Sequence, residues 1–372
     1  MNQSSDLSQM KKKEMNVLII QQKMIGDVLI STLLCKNLKL WNPKIHIDFV
    51  ANRHTLDVIR HNPYIDELII FEDHFKKDKM GLFRFLLQGR KLKYDYIIDA
   101  YGKLESLLIC LFTTATLKIG YKKIHTSLIY DKCIKILKVQ EDGLQLSIKN
   151  RLRLLEPIMG KHPKNSEVEI HLSPDEISAT RKKMDHILGK GKEAIMVSAI
   201  GSSSNKTYPF DYLAQLMDMA FDTAELPFIV NYRPDQEGQI NQLMKKLRPA
   251  TRKAVFKALT PDSLRDYMAT VYHCKAAVGN EGGAINIAKG FNKPTFAIFS
   301  PLIDPSGWHT EIPNKCTAVN LKTFYPDAVD HLKYRKLAKD NQKLQKLYSM
   351  LKPELFQKQW IDFFKRLKTD FQ

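Results

Sequence analysis

The pattern that most limits the fold is an alternation of short apolar runs with amphipathic segments, which occurs twice along the chain. Four apolar runs in the first half are predicted as strands: Asn16–Gln21, Ile45–Ala51, Glu67–Phe71 and Tyr94–Ala100. The alternation restarts at Ala194–Ile200, a nearly continuous apolar run that is typical of a buried parallel strand. Strands that alternate with helices favour parallel sheets with crossover helices. The sequence therefore predicts an α/β protein with two Rossmann-like domains, the ligand lying in the cleft between them.

The domain boundaries follow from a short polar stretch and from changes in composition. A length of 372 residues suits two domains, and Gly189–Lys192 is predicted as the linker between them. Two weaker apolar stretches, Leu128–Tyr130 and Val168–Leu172, are predicted as additional short strands. The predicted parts are a basic flexible tail (1–15), an N-terminal Rossmann-like domain (16–188), a C-terminal one (189–324) and a Lys-rich helical tail (325–372).

The charge and the cysteines limit the partners and the compartment. A net charge of +18 indicates an acidic partner, or else a basic surface that only serves solubility. Since the sequence has no Arg-rich tract and no aromatic RNA-binding signature, an anionic membrane or a phosphorylated glycolipid is favoured over nucleic acid. The five cysteines are scattered, and no apolar segment of signal-peptide or membrane-spanning length occurs. A cytoplasmic protein is expected.

Asp27 is the candidate catalytic residue of the first domain. It follows the first strand, comes directly after Gly26, and opens a helix-like segment. One interpretation is a helix N-cap, in which the carboxylate accepts hydrogen bonds from first-turn N–H groups. The other is a general base, with a pKa lowered by the helix N-terminus so that the group is charged at pH 7.

Two loops of the second domain have the composition of anion-binding loops. Ile200–Phe210 is rich in serine and contains Lys206, and Val278–Gly290 contains Gly282-Gly283 where a strand meets a helix. The alternatives are an ordinary loop and tight strand–helix packing. Pro301–His309, with Trp308, is either a lid over the donor sugar or a plain loop.

These features together favour a transferase that holds a nucleoside diphosphate in the second domain. Backbone N–H groups and Lys206 would stabilise the leaving diphosphate. Neither a P-loop nor the dinucleotide-binding glycine pattern is present, which disfavours a dehydrogenase. No Asp-x-Asp pair stands at a strand end, so no metal ligand is assigned.

Four stretches in this order resemble the lipopolysaccharide heptosyltransferases, glycosyltransferase family 9. The stretches are VLIIQQKMIGDVLIS, IDFVANRHTLDVIRHNPYIDELIIF, GSSSNKTYPFDYLAQL and VGNEGGAINIAKGFNKPTFAIFSPLIDP. The resemblance implies the two-domain GT-B fold, an acceptor domain followed by a donor domain, and a final helix packed back on the N-terminal domain. It also implies an inverting, metal-independent transfer of heptose from ADP-heptose, a co-substrate rather than a cofactor, onto the lipopolysaccharide inner core.

The resemblance also implies roles for individual residues. Asp27 matches the general base, and Gly26, Lys23 and Trp308 are candidates for the acceptor side or its loops. The residues assigned to the donor and its nucleotide are Ser202, Ser203, Lys206, Glu237, Asn280, Glu281, Gly282, Gly283 and Asn286.

The donor loop departs from the family pattern. The family has Asp, then Thr or Ser, Gly, and a later His, whereas this chain has Glu281, Gly282, Gly283 and Asn286. Another nucleotide-sugar donor for a surface glycan therefore stays open, as does a non-catalytic protein that binds a nucleotide sugar or glycolipid.

The basic surface suits an acidic lipid A–core acceptor, and a peripheral location on the inner face of the bacterial inner membrane is expected. Solvated helix faces are the alternative for each lysine. The candidate basic residues are Lys76, Lys77, Lys79, Lys122, Lys123, Lys333, Arg335, Lys336, Lys339, Lys343 and Lys346.

Overall fold

The computed structural model describes residues 14–160, 162, 164–201, 203, 206–257, 263–328 and 341–369. Contacts divide the chain into two compact units, Met1–His171 and Leu172–Gln372. The predicted tail 1–15 therefore lies almost wholly outside the described residues, as do Ser202, Lys333, Arg335, Lys336 and Lys339. Along the described ranges, no helix has the length and apolarity that crossing a bilayer requires.

The first unit is built on a six-stranded sheet in which each strand pairs in parallel with its neighbour. The strand order is β3-β2-β1-β4-β5-β6. The strands are β1 Met15–Ile20, β2 Ile45–Asn52, β3 Glu67–Phe71, β4 Lys93–Asp99, β5 Thr114–Tyr121 and β6 Lys132–Ile134. The helices are α1 Ile25–Trp41, α2 Lys79–Gly89, α3 Leu104–Phe112, α4 Leu146–Arg153 and α5 Glu156–Met159.

The second unit repeats this plan. Its parallel sheet has the order β12-β11-β10-β7-β8-β9. The strands are β7 Ile195–Ser198, β8 Phe228–Val230, β9 Val255–Phe256, β10 Ala276–Asn280, β11 Thr295–Ile298 and β12 Cys316–Val319. The helices are α6 Pro174–Leu188, α7 Phe210–Ala224, α8 Glu237–Lys246, α9 Pro249–Lys253, α10 Leu264–His273, α11 Gly283–Gly290, α12 Leu321–Phe324, α13 Asn341–Met350 and α14 Gln357–Thr369.

Both sheets have the strand order of a Rossmann unit, which confirms the predicted α/β fold class. Both of the weaker strand predictions are wrong. Leu128 is the last residue of a short 3-10 turn, and Ile129 and Tyr130 follow it outside any strand. The next strand of the sheet is β6, which begins at Lys132. Val168–Leu172 is irregular backbone. Short apolar stretches do not distinguish a strand from a packed loop.

The boundary between the units lies earlier in the chain than predicted. Helix α6 begins with the capping box of Ser173 and Glu176 and packs on α10 of the second unit. The carboxylate of Glu176 also accepts two hydrogen bonds from Arg265, at 2.6 and 2.5 Å. Gly189–Lys192 is therefore a turn inside the second unit rather than the linker.

The tail helix packs in a different place from the one predicted. Trp360, Phe363 and Phe364 of α14 are buried in the core of the second unit, together with Phe296 of β11. The indole N–H of Trp360 donates a 2.8 Å hydrogen bond to the carbonyl of Leu216 in α7. The expectation that this tail returns to the first unit was wrong, since its apolar face completes the second core.

The Glu176–Arg265 pair leads to a prediction about acid stability. The pair and the cap lower the pKa of Glu176 from 4.5 to about 2, so its stabilisation is complete above pH 4.5 and is lost as pH falls towards 2. We expect Glu176→Gln to lower the free energy of unfolding by about 1 kcal/mol at pH 7, since the side chain is partly screened by water.

Urea unfolding of both proteins between pH 7 and pH 3 measures this difference. It should shrink below about pH 4.5. Glu225→Gln, which changes an exposed carboxylate 3.7 Å from Lys368, is the control and should have no effect. A pH-independent difference would contradict the assignment.

Candidate active site

The candidate residues of each unit follow the two strands where the strand order reverses. In the first sheet β1 lies beside β4, and in the second β7 lies beside β10. Ligands of open α/β sheets bind outside the carboxyl ends of the strands at this point. Gln21–Asp27 follow β1, residues 199–209 follow β7, and Glu281–Gly283 follow β10. Each unit therefore carries its candidate residues at the position where this fold binds ligands.

Asp27 forms an ion pair with Arg151, a residue that the sequence analysis did not identify. Helix α1 begins at Ile25 with Met24 as its N-cap, so Asp27 lies in the first turn and the N-cap interpretation is wrong. Its Oδ1 accepts a 2.6 Å hydrogen bond from Nη2 of Arg151. The same guanidinium donates to Gln21 Oε1 and Ser31 Oγ, both at 3.1 Å. Arg151 thus fixes the orientation of the carboxylate from helix α4.

The pKa of Asp27 is raised above its ordinary value, contrary to the prediction from the helix N-terminus. Burial is the larger effect and raises the pKa, while the charge and hydrogen bond of Arg151 lower it. A carboxylate with a raised pKa binds a proton more strongly than an exposed one. Asp27 is therefore a better general base than a carboxylate on an open helix end.

The loop after β4 brings further polar groups to the site. Lys23 Nζ lies 3.3 Å from Glu105 Oε1, and Tyr101 lies close enough to Lys23 and Asp27 for their charges to act on its pKa. Buried Asp99 holds this loop, because its Oδ1 accepts hydrogen bonds from the N–H groups of Tyr101 and Gly102 at 2.9 and 2.8 Å. Lys23 and Asp27 therefore both lie near Tyr101, and the assignment of Lys23 to the acceptor side stays a prediction. Gly26 precedes Asp27 in the first turn of α1.

The loop after β7 closes on itself around Lys206. The hydroxyl of Thr207 accepts from the Gly201 N–H at 3.1 Å and donates to the Ser203 carbonyl at 2.9 Å. The N–H of Lys206 also donates to the Ser203 carbonyl. A Cβ atom at Gly201 would overlap the carbonyl oxygen of Lys206, so glycine is required there. These contacts tie Gly201, Ser203, Lys206 and Thr207 to one another after the end of β7.

Asn280 supports this loop. It is fully buried at the end of β10, and its Oδ1 accepts a 2.7 Å hydrogen bond from the Tyr208 N–H. Its Nδ2 donates to the carbonyls of Ser198 and Ala199, both at 2.9 Å. The side-chain amide of Asn280 is therefore already engaged with the backbone, and the assignment of this residue to the nucleotide stays a prediction.

Glu281 lies within electrostatic reach of two lysines. Burial raises the pKa of its carboxyl, and the charges of Lys206 and Lys289 oppose that shift. Lys206 and Glu281 are therefore close enough for their charges to interact, and their assignment to the donor stays a prediction. Lys289 was missed, although it lies in the same glycine-rich stretch. Burial lowers the pKa of Lys289 to about 8.

Lys289 connects helix α11 to the loop that contains Trp308. Its Nζ lies 3.3 Å from the Trp308 carbonyl and 3.3 Å from Nδ1 of His309. Burial and the Lys289 charge lower the pKa of His309 to about 3, so the imidazole is neutral at pH 7. The Trp308 segment is therefore anchored beside the candidate donor site rather than remote from it.

The other predicted donor residues occupy the same edge of the sheet. Gly282 caps helix α11 with a φ of 143°, a value that favours glycine, and Gly283 and Asn286 follow in its first turns. Glu237 begins helix α8, and its exposed carboxylate lies 3.3 Å from Lys257 Nζ. In the described ranges, no group of three or more His, Cys, Asp or Glu side chains is arranged to hold a metal ion.

Residues 83–324 match the family described as "Glycosyltransferase family 9 (heptosyltransferase)". Lipopolysaccharide heptosyltransferase 1 of Campylobacter coli is 21% identical over 295 residues, which cover 77% of this chain and 84% of that protein. The glycosyl transferase family 9 structure from Veillonella parvula has a TM-score of 0.76 at 15% identity, with 96% of this chain and 98% of that one covered.

The structure of E. coli heptosyltransferase WaaC with ADP-2-deoxy-2-fluoro heptose has a TM-score of 0.62 at 16% identity. It covers 82% of this chain and 93% of that one. Both solved structures share the two-sheet fold with this chain.

The ion pair leads to a prediction about stability. Removing one partner of a buried pair leaves an uncompensated charge, so we expect Arg151→Met to lower the free energy of unfolding by about 3–5 kcal/mol. In an Asp27→Asn background the same change should cost at least about 1 kcal/mol less, because the two residues are coupled.

Urea unfolding of the two single variants and the double variant measures the coupling. Arg153→Met, two positions along and paired with Glu156 nearer the surface, is the control and should cost less than about 1 kcal/mol. Additive effects at residues 27 and 151 would contradict the coupling.

Proposed function

Because this chain belongs to glycosyltransferase family 9, the heptosyltransferase family, and is a glycosyltransferase, we propose that it transfers heptose from ADP-heptose to the lipopolysaccharide inner core. The proposed transfer inverts the anomeric carbon and uses no metal. The related Campylobacter coli protein is named as a lipopolysaccharide heptosyltransferase, and the E. coli relative is described with an ADP-heptose analogue. The observation that carries the proposal is the Asp27 carboxylate, fixed by Arg151 at the ligand-binding edge of the first sheet.

In the proposed reaction, Asp27 accepts the proton from an acceptor hydroxyl. The acceptor oxygen forms a bond to the anomeric carbon of heptose as the bond from that carbon to the β-phosphate oxygen of ADP breaks. The bonding electrons leave with ADP, and attack from the opposite face inverts the configuration. Arg151 holds the proposed base by its hydrogen bond to Asp27, and we assign it as a positioning residue. A fixed and partly buried carboxylate supports this role, because proton transfer requires hydrogen-bond geometry and a suitable pKa.

On the donor side, we propose that Lys206 and the N–H groups of the loops after β7 and β10 bind the diphosphate. A positive charge and aligned N–H groups stabilise the negative charge that develops on a leaving phosphate. The charge of Lys206 acts on Glu281, which supports a donor site to which both side chains contribute. Glu281 would then accept a hydrogen bond from a donor-sugar hydroxyl.

A second donor is a specific alternative. Glu281 is longer than the aspartate expected in this family, and Gly282 has no hydroxyl where Thr or Ser is expected. Both residues lie where the donor sugar would bind. The alternative keeps the fold, the base and the diphosphate site, and changes only the sugar.

The proposed acceptor defines the cellular setting. An acidic lipid A–core glycolipid resides in the inner membrane, so we propose that the enzyme works peripherally on its cytoplasmic face. The positive charge of the chain supports this location, since anionic lipids attract lysine and arginine.

The distinct roles of Asp27 and Lys206 give a paired prediction. Asp27→Asn should lower kcat by about 100- to 10,000-fold, because the amide still accepts a hydrogen bond from Arg151 but cannot take a proton. The affinity for ADP should not change. Lys206→Met should weaken ADP binding, because it removes a charge from the diphosphate site. Turnover and calorimetric ADP binding measure the two effects.

Lys253→Met, at the end of helix α9, is the matched control for lost lysine charge.

Thermal unfolding with ADP, UDP, GDP or CMP tests which nucleotide the protein binds, since ligand at about 100 times its Kd adds about 2.7 kcal/mol of stability. ADP should stabilise most. A preference for UDP or GDP would overturn the proposed donor, and full activity of Asp27→Asn would overturn the proposed base.

A further inference from the structure

Two neighbouring helices of the first unit expose large apolar side chains to solvent. On α2, Met80 is 65% exposed and Phe83 is 52% exposed. On α3, Leu104 is 70% exposed and Leu111 is 55% exposed. Leu87 of α2 is also exposed. Scattered single apolar residues are normal on a protein surface, but a contiguous group indicates an interaction site.

The spacing of these residues places them on the outer faces of the two helices. Met80, Phe83 and Leu87 recur at three and four positions, which aligns them along one side of α2. Leu86 of α2 and Ile109 of α3 point the other way, into a shared core. The rings of Phe83 and Phe112 lie 6.3 Å apart, edge to face, and join the helices. The outer face is therefore one apolar surface across both helices.

A loop extends this surface beyond the start of α3. Ile124 and Leu128, which follow β5, are almost completely exposed. The loop is tied to the segment before α3, because Lys123 Nζ donates a 2.7 Å hydrogen bond to the Gly102 carbonyl. Two of the most exposed apolar side chains among the described residues thus lie at the same end of the surface as Leu104.

The polar residues of this surface are mainly basic. Between residues 76 and 93 the sequence has seven lysines and arginines and one acidic residue, Asp78. That aspartate caps helix α2 by accepting a 2.8 Å hydrogen bond from the Gly81 N–H. Arg84, Arg90 and Lys91 are exposed. On α3, the Glu105 carboxylate lies 3.3 Å from the Lys23 ammonium.

We propose that the outer face of α2 and α3, with the loop at Ile124 and Leu128, is the surface by which the protein binds an anionic lipid bilayer. The apolar side chains enter the boundary between headgroups and acyl chains, and the basic side chains contact lipid phosphates. A second copy of the chain fits less well, because each copy would bring the same excess of positive charge. The proposal deepens the proposed function, on which it rests for a membrane-embedded acceptor.

Vesicle flotation of the full chain tests the surface. The vesicles contain phosphatidylglycerol with phosphatidylethanolamine, and vesicles of phosphatidylcholine alone provide the uncharged comparison. The wild type should float with the anionic vesicles and bind less as the salt concentration rises. Arg84→Gln with Lys91→Gln should lower partitioning about thirty-fold, as expected for two basic residues near an anionic surface. Met80→Ser with Phe83→Ser should lower it at least about tenfold.

Ile312→Ser and Lys253→Gln are the matched controls. Ile312 is an exposed apolar residue of the second unit and Lys253 an exposed basic one, and both variants should bind vesicles like the wild type. Anionic-vesicle binding that is absent in the wild type, or equal in the wild type and both double variants, would overturn the proposal. So would a wild type that dimerises without vesicles and a serine variant that stays monomeric.

Turnover of a water-soluble acceptor fragment separates this proposal from the proposed function. All four double and control variants should retain wild-type turnover of that fragment. Flotation decides the membrane surface, and turnover of the fragment by the wild type decides the reaction, so the failure of one is distinguishable from the failure of the other.

Discussion

The ion pair between the buried guanidinium of Arg151 and Asp27 is the interaction on which the proposed chemistry of the first unit depends. A charge removed from water is tolerated only when it is paired and hydrogen-bonded. Arg151 meets this requirement with Asp27, Gln21 and Ser31, which lie on the strand end and first helix of the sheet. Because the buried positive charge of Arg151 must be compensated, the position of the Asp27 carboxylate is fixed. Burial raises the pKa of Asp27 and Arg151 opposes the rise, a balance that suits the proposed general base.

The repeated strand order explains why the candidate residues come from distant parts of the sequence. In each sheet, the second and third strands lie on one side of the first strand, and the fourth to sixth strands lie on the other side. The loop that follows the first strand is at this switch point. The first unit uses this loop for a carboxylate, and the second uses the corresponding loop for Lys206. Asn280 supports the loop of the second unit, because its side-chain amide forms hydrogen bonds with the neighbouring backbone. The positions of the candidate residues thus depend on the Rossmann strand order, which places the loops, and on buried polar residues, which hold them.

The long apolar strands and the residues directly after them could be predicted from the sequence, because burial on both faces leaves continuous runs such as Ile195–Ser198. Asp27 and Lys206 were proposed as site residues for that reason. Arg151 could not be found, since it lies 124 positions from Asp27 and belongs to no local motif. The packing of Trp360 also could not be predicted, because an apolar helix face does not specify which core it completes.

The most direct test of the central claim is the pH dependence of kcat/KM in the wild type and in Arg151→Met. If Asp27 is the base that Arg151 holds ionised, losing the guanidinium raises the pKa of Asp27. The acidic limb of the profile should then move to higher pH. Arg151→Lys, which keeps the charge, should shift the limb less. An acidic limb at the same pH in all three proteins would contradict the claim, because the group that limits the rate would then not be the carboxylate that Arg151 contacts.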